Sequence, residues 1–203
     1  ITNFINNDKI HFQNRISKIK QKDNFIQTRQ KTLELIDELP TEDLCIQPSD
    51  FVSPLKWHLG HTTWIYEKII NEQSNCPSIN KKFDFVFNSY YKGLGHHNLQ
   101  SNRGNLSRPT VAEVIDYFHQ VQDLVISNIE TSQEDSPMID LGIQHEKQHQ
   151  ELIVMDLKYV LSRSLGLIDN GKSFEQYSPK KVNERSWTSF NGGIKEFGKS
   201  DQE

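Results

Sequence analysis

Two histidines four residues apart are the side chains in this chain whose type and spacing best suit chemistry. Residues 145–151 read His-Glu-Lys-Gln-His-Gln-Glu and lie in a long stretch with helical apolar periodicity. On a helix, residues i and i+4 project from the same face, so the imidazoles of His145 and His149 can share one metal ion. The string also has the His-Glu-x-x-His pattern of zinc metallopeptidases, so the position of a third ligand decides the function.

The residues downstream of the pair do not supply a peptidase ligand. Residues 150–155 contain neither the Gly nor the His that the metzincin pattern requires. Another class of zinc peptidase uses a Glu from a later helix, but Glu175 and Glu184 lie in a polar segment without helical periodicity. Glu151 follows His149 by two positions, which turns it away from the face of the pair. We therefore expect no downstream ligand, and Glu146 becomes a solvated neighbour of the site instead of a general base.

An upstream histidine is the better candidate for the third ligand. His61 follows Gly60 near the start of a predicted core helix and shares an i+4 row with Ile65, whereas His58 could be a supporting or capping group. We expect Gly60 to let the facing helix approach closely. An ordinary hydrogen-bonded core histidine is the alternative for His61. His96, His97 and His119 are the other histidines that could provide the third ligand. A site of three imidazoles suits iron, zinc or nickel about equally well.

Composition narrows the possible partners. The chain has 203 residues, of which 34% are hydrophobic, and a net charge of −4. This charge gives no reason to expect nucleic acid or an anionic membrane as a partner. No apolar run approaches the roughly 20 residues of a membrane span. The start at Ile1 without a signal-like segment favours a cytoplasmic protein. Cys45 and Cys76 do not form a disulfide pattern and are expected to be unpaired thiols.

The apolar periodicity predicts four long helices. Residues 1–20 are expected to form an arm or an irregular short helix, and the first bundle helix runs from Asp23 to Pro40. Ser53-Pro54 predicts the start of a second helix that runs to about Asn71, and residues 72–109 form a long connection. A capping box, Thr110 with Glu113, starts the third helix. Ser136-Pro137 starts the fourth, which we expect Gly166 to end.

This arrangement predicts an all-α fold. One very long connection between four helices indicates an antiparallel four-helix bundle with a crossover, a fold that often holds metals between facing helices. We assign residues 1–166 to this bundle. Residues 167–203 are expected to form a linker and a short irregular tail, in which residues 187–198 look like a first strand and turn.

Several segments, in order along the chain, resemble the N-terminal DinB-like domain of the ergothioneine-biosynthesis sulfoxide synthases. They are residues 53–64 (Ser-Pro-Leu-Lys-Trp-His-Leu-Gly-His-Thr-Thr-Trp) with Glu67, 87–91 (Phe-Asn-Ser-Tyr-Tyr), 103–111 (Arg-Gly-Asn-Leu-Ser-Arg-Pro-Thr-Val) and 145–152 (His-Glu-Lys-Gln-His-Gln-Glu-Leu). Residues 187–198 are similar to the opening of that family's second domain, which has a formylglycine-generating-enzyme-like fold. The resemblance covers essentially the whole chain.

The resemblance implies a non-haem iron(II) centre held by His61, His145 and His149. Such enzymes use O2 to join the sulfur of cysteine or γ-glutamylcysteine to the imidazole of N-α-trimethylhistidine and to oxidise it to a sulfoxide. Gln148 matches a residue that approaches the trimethylhistidine, and Arg103 could hold the carboxylate of the thiol substrate, for which a guanidinium is apt. Because the family's second domain supplies its catalytic tyrosine, we expect no catalytic residue in this chain, and no activity from it alone.

Three other functions remain open at this stage. A DinB-type thiol S-transferase would use the same histidines with zinc or nickel and would need no second domain. A non-catalytic, metal-stabilised bundle would bind the ion for stability alone. A zinc peptidase is disfavoured because the downstream ligand is missing. The sequence does not predict the oligomeric state.

Overall fold

The computed structural model describes residues 2–74, 77–89, 98–163 and 186–197, with side chains from Asn14 onward. The chain divides into two units, Ile1–Ile168 and Asp169–Glu203. In the described residues, regular structure is entirely helical, as predicted. None of the described helices combines the length and the hydropathy that a membrane span requires.

The first unit is a helical bundle. Its elements are α1 (Thr2–Glu34), α2 (Thr41–Cys45), α3 (Leu55–Ser74), α4 (Phe83–Val86), a 3₁₀ helix (Gln100–Asn105), α5 (Val111–Thr131) and α6 (Pro137–Ser162). Helix α3 packs against α5 and α6, and α1 packs against the same two helices. The four long helices therefore enclose one core, and α3 is its most buried member.

The prediction that residues 1–20 form an arm or an irregular short helix is wrong. Residues 2–34 form one continuous helix, and Asp23 lies inside it instead of capping a new one. No Gly or Pro occurs in this stretch, so nothing in its backbone interrupts the helix. The helix ends at Glu34, earlier than the predicted end at Pro40, and turns follow it at residues 35–38.

The start of α5 confirms the capping box. The hydroxyl of Thr110 accepts a hydrogen bond from the Glu113 N–H at 3.2 Å, and the Glu113 carboxylate accepts one from the Thr110 N–H at 2.7 Å. Two of the orphan amides at the helix start are thereby satisfied. The buried residues that follow at helical spacing are Val111, Val114, Tyr117, Phe118, Val121, Val125 and Ile129.

Both Ser-Pro pairs lie at helix starts, but each serine hydroxyl accepts a hydrogen bond from a side chain that is distant in sequence. Helix α6 begins at Pro137 without a side-chain cap from Ser136, whose hydroxyl instead accepts a hydrogen bond from Gln73 on α3. The hydroxyl of Ser53 accepts a hydrogen bond from Arg103 at 2.8 Å. Both serines therefore join a helix start to a distant segment. Helix α6 ends at Ser162, and Gly166 lies outside the described residues.

The remaining segments are short or irregular. The long connection between α3 and α5 carries α4 and the 3₁₀ helix. Residues 186–197 of the second unit contain neither helix nor strand, so the strand expected there is absent from the described residues. Cys45 is a free thiol, and Cys76 lies outside the described residues.

Candidate metal centre

Three histidines from two helices converge in the bundle. His61 on α3 meets His145 and His149 on α6, and each offers a ring nitrogen such that these atoms all lie within 4.8 Å of one another. The ring centroids are 5.1 Å apart for His61 and His145, 4.8 Å for His61 and His149, and 4.6 Å for the α6 pair. The structure thus brings together the three residues that the sequence singled out. His119 is exposed on α5, and His96 and His97 lie outside the described residues.

The ring of His61 is held on two sides. Its Nδ1 donates a hydrogen bond to the carbonyl of Phe87 at 2.6 Å, since a carbonyl can only accept. The ring also stacks on Trp57, with centroids 4.6 Å apart and planes inclined by 9°. Trp57 is fixed in turn by its indole N–H, which donates to the carbonyl of Val86 at 2.9 Å. These contacts leave Nε2 of His61 as its available ligand atom.

Gly60 makes room for the ring of Phe87, and not for the facing helix as the sequence predicted. A Cβ at this position would lie 2.1 Å from the ring of Phe87, so the glycine admits that ring and not the facing helix. The close approach between α3 and α6 occurs instead at Gly142, where a Cβ would lie 2.6 Å from the ring of Tyr66. Gly60 therefore acts on the site indirectly, because the residue it admits also supplies the carbonyl that orients His61.

His149 is held by a relay of two further side chains. Its Nδ1 lies 2.8 Å from Nδ1 of His58, and Nε2 of His58 lies 2.9 Å from a carboxylate oxygen of Asp156. The backbone N–H of Ser53 donates to the same oxygen at 3.0 Å. The sequence left His58 as a supporting or capping group, and the structure shows the supporting contact. Asp156 was missed, although its i+7 spacing from His149 places it on the same face of α6.

Burial keeps the imidazoles uncharged. It lowers the pKa of His61 to about 3, and it also lowers the pKa values of His58, His145 and His149. Desolvation is the main cause in every case, because the charged form loses its water. At neutral pH these rings are therefore in the neutral form that binds metals.

The residues present fit a divalent cation. Nδ1 of His145 is buried without a hydrogen-bond partner among the described residues. His61 and His149 each use Nδ1 in a hydrogen bond, which leaves Nε2 for a ligand. Three neutral nitrogens from two helices suit iron(II), zinc or nickel, and the bond from His61 to a backbone carbonyl is one that metal-ligating histidines usually make.

The three histidines line a cleft of about 280 Å³. Its other lining residues are Phe51, Ser53, Trp57, His58, Ser89, Gln100, Arg103, Leu152, Met155 and Asp156. Arg103 is buried in the 3₁₀ helix, where its guanidinium lies 3.3 Å from the centroid of the Trp57 ring. Gln148 is exposed on α6 and does not belong to the described lining. Tyr90 and Tyr91 lie outside the described residues.

Glu146 is not the solvated residue that the sequence suggested. It is completely buried and forms an ion pair with Arg29 of α1 at 3.2 Å, while the hydroxyl of Thr32 donates to the same carboxylate oxygen at 2.7 Å. One residue along a helix corresponds to a rotation of about 100°, which turns Glu146 away from the face of His145. A carboxylate held in this way is not available as the general base of a peptidase.

Comparison with protein families agrees with the helical architecture. The model of the DinB superfamily matches residues 24–153, a range that contains all three histidines, the whole of α3 and α5, and parts of α1 and α6. Comparison with curated proteins gave no match.

Proposed function

This chain belongs to the DinB superfamily, and we propose that it is the metal-binding part of an iron(II)- and O2-dependent sulfoxide synthase of ergothioneine biosynthesis. The observation that carries the proposal is the convergence of His61, His145 and His149 in the lining of one cleft. The ordered segments that resemble this enzyme family, including the one around Arg103, supply the choice of reaction.

The proposed reaction joins a thiol to an imidazole. The S–H bond of cysteine or γ-glutamylcysteine and one imidazole C–H bond of N-α-trimethylhistidine break, and a C–S bond forms. One atom of O2 enters the sulfoxide and the other leaves as water, so O2 accepts four electrons from the two substrates. Iron(II) bound by the three histidines would supply the redox chemistry with O2.

The protein's own residues would position the substrates. Arg103 lines the cleft, and its rigid, planar guanidinium is suited to a substrate carboxylate. Its contacts with Ser53 and Trp57 fix the orientation of that group. We propose that Gln148, three residues after His145 and exposed on the same helix, approaches the trimethylhistidine.

Oxygen uptake tests this proposal. The full-length protein that contains this chain, loaded anaerobically with iron(II), is expected to consume O2 only when trimethylhistidine and a thiol are both present, and mass spectrometry should detect the sulfoxide. His61→Ala should abolish uptake, whereas replacement of the exposed His119 by Ala should not. No uptake with either thiol at saturating substrate would contradict the proposal.

A second candidate is a DinB-type thiol S-transferase. It is favoured by the family match, which covers the bundle alone and includes the same three histidines. Neutral imidazoles suit zinc as well as iron(II), and zinc can activate a thiolate without redox chemistry. Thiol conjugation by the zinc-loaded protein under strictly anaerobic conditions would support this candidate over the synthase.

A further inference from the structure

The relay from Asp156 through His58 to His149 contains two buried side chains that no step of the proposed reaction uses. Asp156 and His58 are 5% and 3% exposed, so little of either side chain contacts solvent. Both lie beside the three histidines but belong to different helices, α6 and α3.

The hydrogen bonds of the relay admit one consistent direction of donation. The same Asp156 oxygen also accepts from the N–H of Ser53, so it is an acceptor here and Nε2 of His58 carries the proton that is donated to it. A neutral imidazole has a single N–H, so with that proton on Nε2 the Nδ1 of His58 can only accept. The donor across the 2.8 Å contact is then Nδ1 of His149, which leaves a lone pair on Nε2 of His149.

We propose that Asp156 is a positioning residue that acts through His58 to hold His149 as the tautomer protonated on Nδ1. The tautomer presents the Nε2 lone pair to the metal site. The energetic reason is that the opposite tautomer would place two buried lone pairs, on His58 and His149, against each other at 2.8 Å. This inference rests on the metal site of the proposed function, but its first test requires no metal.

The Ser53 contact explains why the carboxylate is fixed. The backbone N–H of Ser53, two residues before the start of α3, donates to the same oxygen of Asp156 that accepts from His58. The relay therefore ties the start of α3 to α6 beside the site. A change at Asp156 should alter the orientation and basicity of His149 without touching any ligand atom.

The direct test is the tautomer of His149 in the metal-free protein. Long-range proton–nitrogen correlation on protein with ¹⁵N-labelled histidine should show Nδ1 of His149 protonated and Nε2 unprotonated. A resonance pattern with the proton on Nε2 of His149 would overturn the proposal. This experiment uses the unchanged protein, so it decides the question whatever the stability of any variant.

The second test is metal affinity, measured by competition between the protein and a chromophoric chelator for zinc and, anaerobically, for iron(II). Asp156→Asn should depopulate the proposed tautomer and weaken binding by about 10–100-fold. The same change at the exposed Asp140, also on α6, is the matched control and should leave the affinity unchanged.

The pathway through His58 is tested by combining variants. In a His58→Gln background, Asp156→Asn should cause little additional loss of affinity, since the two residues act as a unit. Full additivity, or unchanged affinity and tautomer in Asp156→Asn, would contradict the proposal. Failure of the unchanged protein to bind any divalent metal would refute the proposed function, while the tautomer result would still stand.

Discussion

The carboxylate of Glu146 and the guanidinium of Arg29 form a buried ion pair, 3.2 Å apart, between α6 and α1. The Arg29 guanidinium also lies 3.1 Å from the centroid of the Phe118 ring and donates a hydrogen bond to Thr63. Glu146, inside the His-Glu-x-x-His motif, is thus connected through Arg29 to α1, α3 and α5. Its histidines face the cleft while its glutamate stabilises the bundle.

Replacing Glu146 by Leu should strongly destabilise the protein. Arg29 would remain as an unpaired cation in the core, which costs about 3–5 kcal/mol in the free energy of unfolding. The double replacement Arg29→Met with Glu146→Leu should recover most of that loss, because no charge is left buried. Urea denaturation measures both effects.

The exposed pair Lys22–Glu130 is the control for this prediction. It also joins α1 to another long helix, but its side chains are 35% and 54% exposed. Glu130→Gln should therefore cost less than about 1 kcal/mol. If Glu146→Leu were equally mild, the buried pair would not have the structural role assigned to it.

Gly60→Ala should destabilise the bundle by about 1–3 kcal/mol, because the added methyl group overlaps the ring of Phe87. Phe87 is 1% exposed, and its ring also packs against the rings of Phe83 and Tyr117. Metal affinity should also fall, since the carbonyl of Phe87 orients His61. Thermal unfolding and metal titration provide the two measurements.

Gly192→Ala is the matched control for Gly60, because a Cβ there meets nothing within 4 Å. It should change neither stability nor affinity. A Gly60→Ala variant that melts like the unchanged protein would show that the Phe87 ring does not pack against α3 as described.

Two buried tyrosines should make the protein sensitive to alkali. Burial raises the pKa values of Tyr66 and Tyr117 well above the ordinary value of 10.0, and the hydroxyl of Tyr117 also donates to Glu67 at 2.6 Å. A raised pKa means that the folded state holds the proton more tightly. This contribution to stability is complete below about pH 10 and is lost as the pH rises toward the folded-state pKa.

Phenolate absorbance and circular dichroism, recorded together from pH 9 upward, check this prediction. Part of the phenolate signal should appear only as the helical signal is lost, and this part should shrink in Tyr66→Phe and Tyr117→Phe. Complete ionisation of all tyrosines near pH 10 with the helices intact would contradict it.

The sequence predicted the helical bundle and the pairing of His145 with His149 because both depend on local spacing. Apolar periodicity located α3, α5 and α6, and the i+4 spacing placed His145 and His149 on one face. Excluding downstream ligands then pointed to His61. The capping box at Thr110 also depends only on neighbouring residues, and it forms as expected.

The features that the sequence did not predict depend on contacts between distant segments. The burial of Glu146 requires Arg29, which lies 117 positions earlier in the chain. The role of Asp156 requires His58 on another helix, and the role of Gly60 requires Phe87 from the long connection. Spacing along one helix gives the face of a residue but not the partner that it meets there.

Metal content after single replacement of each histidine tests the central claim most directly. The purified protein, stripped and reloaded with iron(II) anaerobically, should bind about one ion per chain, because the three histidines form a single site. His61→Ala, His145→Ala and His149→Ala should each lose most of this metal, and exposed His119→Ala should retain it. Stoichiometric metal in His61→Ala, with affinity equal to that of His119→Ala, would contradict the proposed site.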